Sequence, residues 1–356
     1  MSGFLVFLLV LSVLVFVHEL GHFSVARYFG VTVHQFSIGF GPKLISKYWK
    51  GTNWSFSLIP LGGYVQMKGQ EDLDPAKTST DSDSYSMLTP TKRILILLAG
   101  PSANFILAFV LYVFIGLMEH KELGNQIGGV IKDSPAYQSG LRDGDKIISI
   151  NEKDILLWSD LQKTIANENS ENAENGDRLV ISVDRGGFKK TFVVIPKVLE
   201  TKNMFGENIK RKMIGIAPAS IITVSFTPLE SLVYGFDKTY EASKLIFQGL
   251  QKLLQGIVPS SEVGGVISIG KVISDASDTG IVSLFIIGAL ISVNLGVLNL
   301  LPIPALDGGH IMFNLYELIT RRKPSQKILI NLTIGGWIIL FGLMALGLYN
   351  DINRFF

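Results

Sequence analysis

The chain has 356 residues, of which 47% are hydrophobic and 17% charged, and its mean hydropathy is +0.37. A charged share below the ~25% usual in soluble domains argues against an ordinary soluble protein and for a polytopic membrane protein with a modest soluble part. The net charge of +2 gives no case for a nucleic-acid partner, and the absence of cysteine excludes disulfides and thiolate metal sites. A transition-metal site must then use His and carboxylate.

The first element is an apolar run, Phe4–Arg27, that carries His18-Glu19-Leu20-Gly21-His22. It lacks a basic start and a small-residue cleavage site, so residues 1–30 are expected to be a retained transmembrane helix. Residues i and i+4 of a helix share a face, about 5–6 Å apart. His18 and His22 at that spacing can hold one Zn²⁺, with Glu19 beside the metal to act on water as general base. Charged groups within a membrane helix cost roughly 2.5–3.5 kcal/mol each on insertion scales, so they usually mark function. The pairing points to a metalloprotease whose hydrolysis takes place within the bilayer.

Residues 31–93 follow. Val31–Gly69 interleaves Val, Ile, Phe, Trp and Tyr with Gly and Pro, and Trp54–Leu58 alternates as a strand does. A β-hairpin or small sheet against or within the membrane is expected. An open strand edge there would accept an extended peptide by strand addition; an ordinary hairpin without a substrate role is the alternative. The polar stretch Glu71–Thr89 reads as a flexible loop. A second span occupies Ile94–Met118, within residues 94–119, and is interrupted by Gly100-Pro101. Asn104 in this span has two readings: an interhelical hydrogen bond, or a group that binds the substrate and orients the oxyanion.

Residues 125–217 read as one compact α+β domain. Ser134–Asn151 follows the pattern S-P-A-x-x-x-G-L-x-x-G-D-x-I-x-x-I-N of bacterial PDZ domains. A PDZ groove takes a peptide end as an added strand; a PDZ-shaped spacer is the alternative. Residues 226–257 have the pattern of an amphipathic helix on the outer membrane surface or against that domain.

A third span, Ile281–Leu301, leads into Pro302, Pro304, Asp307, Gly308 and Gly309, so residues 281–310 are expected to be a span with a broken end. Broken backbone at membrane depth is tolerated only when buried in protein or lining a wet cavity. Asp307 is the candidate third zinc ligand, with His310 as its rival. Asn294 and Asn299 either bond between helices or grip an extended substrate. The fourth span is Ile328–Tyr349. Lys43, Lys47, Lys50, Lys68, Lys77, Lys92 and Arg93 place the first connection in the cytoplasm, and Arg321, Arg322, Lys323 and Lys327 place the last one there. Both termini and the inserted domain then lie outside, with His18-Glu19-Leu20-Gly21-His22 toward the cytoplasmic side of its span.

The His18–His22 motif, Gly100-Pro101-Ser102-Ala103-Asn104-Phe105, the PDZ insert and Asn299–His310, in this order, together resemble the site-2 protease family. More narrowly, the chain is similar to bacterial RseP-type regulators of sigma factors. The resemblance implies one Zn²⁺ held by His18, His22 and Asp307, with Glu19 as base and Asn294 and Asn299 near the substrate strand. It implies an enzyme of the bacterial inner membrane. Its substrates would be single-span membrane proteins already trimmed outside, of the anti-sigma type, and remnant signal peptides, with the PDZ domain excluding untrimmed ones. The chain departs from the pattern in having one PDZ pattern rather than two, and in lacking a proline at Gly264-Gly265-Val266-Ile267-Ser268-Ile269.

Overall fold

The computed structural model describes residues 3–70, 79–167 and 178–356. It forms two compact units: Met1–Leu117 with Thr227–Phe356, and Met118–Phe226.

In the first unit, α1 (Gly3–Tyr28) has no charged residue before Glu19. It is followed by β1 (Val33–Trp49) and β2 (Thr52–Met67). The two long strands fold over on themselves. Residues 33–38 pair with 63–67 on one side and with 53–56 on the other, while 43–49 pair back onto 52–57. The first half of β1 is therefore interior, and residues 43–49 and 62–67 are the sheet edges. Phe36 fixes this sheet to α1, its ring packing against Phe16, Phe23 and Trp54.

Of the loop expected over Glu71–Thr89, residues 71–78 lie outside the described residues. The remainder is not a free loop. Asp83 accepts from Thr32 Oγ1 at 2.7 Å and from Lys68 Nζ at 2.8 Å, and the Thr32 amide donates to the Asp83 carbonyl at 3.0 Å. The bonds from Lys68 and then Thr32 hold the Asp83 carboxyl down at about 2. The chain then enters α2 (Pro90–Leu117), which continues through Pro101.

The second unit begins with β3 (His120–Leu123), β4 (Ile127–Val130), α3 (Pro135–Ser139), β5 (Lys146–Ile150) and β6 (Lys153–Asp154). It continues with α4 (Trp158–Asn167), β7 (Leu179–Arg185), β8 (Phe188–Val194), β9 (Lys197–Lys202), β10 (Asn208–Met213), β11 (Ile216–Pro218) and β12 (Ile221–Val224). Four strands form a sheet in the order β6-β5-β7-β8, and β9–β10, β4–β11 and β3–β12 pair separately. Ser134 caps α3 by accepting from the Tyr137 amide, and Gly140 in the left-handed region ends it. Ile127, Leu141, Ile147, Ile150, Leu161 and Ile181 are among the buried core residues. Asp145, 1% exposed, accepts from Arg185 Nε at 2.6 Å and Nη2 at 2.7 Å. Burial opposes its ionisation, but Arg185 and the Arg142 amide outweigh this and hold its carboxyl below the usual range.

The first unit resumes with α5 (Pro228–Leu254), opened by a capping box between Thr227 and Glu230. The helix expected over 226–257 is present, but its packing is against α2 and the helix Ile281–Asn299, where the sequence suggested the outer membrane surface or the inserted domain. It runs antiparallel along α2: Ser231 lies against Gly116, Gly235 against Val113, and Ser243 reaches the level of Phe105. Leu229, Leu232, Val233, Phe236 and Tyr240 of this helix are exposed, and Phe236 and Tyr240 border a groove shared with Phe105, Ile106 and Phe109 of α2.

Residues 266–279, to which the sequence assigns no element, form α6 (Val266–Thr279). It is followed by α7 (Ile281–Asn299), α8 (Asp307–Thr320) and α9 (Gln326–Phe355). The single segment expected over 281–310 is thus two helices, since Pro302 and Pro304 supply no amide donors to continue α7. Arg93 at the start of α2 is paired with Glu317 of α8 at 2.9 Å. Asp351 of α9 caps α6 from outside it, accepting from the amides of Gly265 (3.0 Å), Ile267 (2.9 Å) and Ser268 (3.1 Å) and from the Ser268 hydroxyl. The helices α1, α2, α7 and α9 are long and apolar enough to cross a membrane, as expected.

Removing one partner of a buried ion pair typically costs about 3–5 kcal/mol. Asp145→Ala should therefore destabilise the second unit by about that much, read as earlier thermal onset of proteolysis within Met118–Phe226 of the full chain. The depressed carboxyl adds a pH signature. Its contribution is present above the unfolded carboxylate range near ~4 and is lost as pH falls below it, a loss the variant should not show.

Candidate metal centre

The motif on α1 places two imidazoles on one helix face, as i,i+4 spacing requires. Their Nε2 atoms are 3.2 Å apart. Asp307, in the first turn of α8, brings Oδ2 to 3.4 Å from both. With Zn–N and Zn–O bonds of about 2.0–2.1 Å, the edge of a tetrahedron is about 3.3–3.4 Å. The triangle of 3.2, 3.4 and 3.4 Å is thus the size of one face of a tetrahedral zinc site. Asp307 Oδ2 is also buried with no hydrogen-bond partner. Such an orphaned oxygen is costly unless something positive occupies the space before it.

Each imidazole is set by α2. His22, 6% exposed, lies with Nδ1 2.8 Å from the Ile96 carbonyl. A proton on Nδ1 shared with that oxygen leaves Nε2 as a lone-pair donor. Gly100 makes room for the ring, because a Cβ built there would lie 2.2 Å from His22 Nε2. His18 Nδ1 lies 3.2 Å from Asn104 Nδ2. Asn104 is fully buried, and Ser292 of α7 donates to its backbone carbonyl at 2.8 Å. The amide read from sequence as a possible oxyanion group is thus placed against His18.

Glu19 is half-buried on α1. The edge of β2 runs beside it, and a Cβ built on Gly63 would come 2.7 Å from Val15 Cγ1 and 3.1 Å from Glu19 Cγ. Asn294 and Asn299 lie half-buried on α7, and neither takes a hydrogen bond among the described residues. His310, the rival for the third position, instead stacks edge-on with Phe313 at 6.0 Å between ring centres. The metal-binding group found among the described residues is His18, His22 and Asp307. Reading the sequence alone did not single out the Ile96 carbonyl, nor Gly100 and Gly63 as close-contact positions. The glycines were visible as letters, but a backbone carbonyl carries no sequence signal.

Two histidines and an aspartate at zinc spacing, with a glutamate between the histidines on the same helix, are the groups a zinc peptidase centre uses. The chain belongs to peptidase family M50, which it matches over residues 6–343. It is 44% identical over 352 residues to a Campylobacter jejuni protein, covering 99% of this chain and 93% of that one. A Helicobacter pylori protein is 38% identical over 360 residues, covering 99% of both chains. One from Rickettsia conorii is 36% identical over 360 residues, covering 98% of both. All three carry names beginning "Putative zinc metalloprotease". The chain is a zinc metalloprotease, and zinc is its cofactor.

Gly100→Ala tests the seat of His22. The added methyl must push the ring away, so zinc bound per purified chain should fall at least ~10-fold at limiting free zinc, the size of effect typical when a ligand's support is lost.

Proposed function

We propose that the chain is an intramembrane endopeptidase of the site-2 type, acting on single-span membrane proteins. The observation that carries this reading is the zinc-sized triangle on α1 and α8, with two of its corners on a helix long and apolar enough to span a bilayer. His18, His22 and Asp307 hold the zinc. Bound there, zinc supplies Lewis acidity to a peptide carbonyl and to the attacking water. Glu19 stays off the metal, takes the proton of the attacking water and passes it to the leaving amine. The edge of β2 beside Glu19 presents the substrate as an added strand, since an extended peptide satisfies its own amides there and needs no helix. Gly63 keeps that edge free of side-chain bulk. Asn294 and Asn299, without protein partners among the described residues, hold the unwound substrate backbone.

The second unit acts as a single PDZ domain of the RseP type. Its four-stranded sheet, its short capped helix at Ser134–Gly140 and the turn at Gly144-Asp145 support that reading. It admits trimmed substrate ends and excludes long extracellular domains. Lysine and arginine between α1 and α2 and between α8 and α9 set the orientation, with both termini and the PDZ unit on the periplasmic side of the bacterial inner membrane. Substrates of the anti-sigma type and remnant signal peptides fit this arrangement.

Glu19→Gln should lower cleavage of a co-expressed single-span substrate by at least ~10²-fold, the low end of general acid–base catalysis, with zinc content unchanged. Cleavage at the normal rate would sink the assignment of Glu19. Membrane proteomics of that variant should show single-span fragments accumulating, which names the substrates. Gly63→Val should also reduce cleavage, while leaving the zinc content of the protein as it was.

A further inference from the structure

We infer that Asn104 is a positioning residue that locks the His18 ring in the orientation its zinc-facing nitrogen requires, by accepting a hydrogen bond from Nδ1 through its Oδ1. This rests on the proposal that His18 is a zinc ligand.

His18 Nε2 is the atom directed at Asp307 and His22. A ligating nitrogen must offer its lone pair, so in a neutral imidazole the proton sits on Nδ1 and needs an acceptor. The side-chain group that meets Nδ1 is the Asn104 amide, at 3.2 Å. The Gly100 backbone also acts on the ring as a hydrogen-bond partner, so the Asn104 amide is its side-chain support and not its sole one. As placed, Asn104 turns Nδ2 toward His18, and its Oδ1 is buried with no partner. Amide oxygen and nitrogen are nearly the same size, and the network decides between them. A half-turn of the amide brings the orphaned Oδ1 to Nδ1 and removes one buried unsatisfied atom. The zinc-ready arrangement is therefore the rotated one.

The surroundings favour this role over substrate contact. Asn104 is fully buried, and its own carbonyl is tied to Ser292 of α7. The two ligating histidines then have matching supports from α2: a backbone carbonyl at Ile96 for His22 and a side-chain oxygen at Asn104 for His18.

The test is zinc affinity of the full-length protein in detergent, measured by competition with a chromophoric chelator, which needs no substrate or turnover. Asn104→Leu keeps the branched shape and removes the acceptor, and should weaken zinc binding roughly 10- to 100-fold, the range typical of lost ligand supports. Asn104→Asp keeps an acceptor oxygen and should bind within about threefold of wild type, or more tightly, as carboxylate–histidine–zinc pairings do. A purely packing role predicts the reverse order, because Leu suits an apolar helix contact and Asp does not. If Asn104→Leu fails to fold, Asn104→Ala takes its place in the comparison with Asn104→Asp. Wild-type affinity in the Leu or Ala variant, or equal losses in Asp and Leu, would overturn the inference. His18→Ala separates it from the reading beneath: undiminished zinc affinity there refutes His18 as a ligand, whereas loss there with none at Asn104 refutes the positioning role alone.

Discussion

The membrane unit depends on how closely α1 approaches α2 where His22 rests on Gly100. No β-carbon fits in that contact. Because the helices meet there, the Ile96 carbonyl and the Asn104 amide on α2 reach the two imidazoles of α1. The two rings and Asp307 then sit within one zinc radius of a common point. Gathering three polar donors among apolar helices is unfavourable unless they are paired. A metal ion held by the three would supply the pairing, and metal binding and packing of these helices would then be one free-energy term rather than two.

The second fixed relation is between the folded-over sheet and α1. The sheet is fastened by the aromatic cluster of Phe16, Phe23, Phe36 and Trp54. That cluster sets its height on the helix, and with it the position of the edge beside Glu19. An aromatic cluster suits this task, because interlocked rings resist sliding and carry no polar atoms to satisfy, apart from the indole nitrogen.

Much of the site was legible because its chemistry is local. The spacing of His18 and His22 is a helix period, and Asp307 stands out as a carboxylate among prolines and glycines in an apolar stretch. The sequence favoured Asp307 over His310 without excluding His310. The two are three residues apart on one helix, and only the docking of α8, held at its far end by Arg93 and Glu317, turns one of them to the histidines. The boundary between α7 and α8 was blurred because both are apolar. The helix α6 was missed because its N-terminal cap, Asp351, lies far along the chain in α9. The strands of the sheet showed in their alternation, but the double pairing of residues 33–38 did not, since irregular register leaves no sequence period. For Asn104 the residue type was readable and the partner was not.

Asp351 gives the membrane unit a topology that the linear chain lacks. It ties α9 to the start of α6, and α6 lies along the first turns of α1, with Ser274 against Gly3 and Gly270 facing Phe7. The last helix is thereby coupled, through a single carboxylate and a short bridging helix, to the first turns of the helix that bears His18 and His22. The unit behaves as a closed hoop clasped by side chains instead of an open string of rods. The contacts made by the final turns of α9 thus run, through α6, to the beginning of α1 at the opposite end of the sequence.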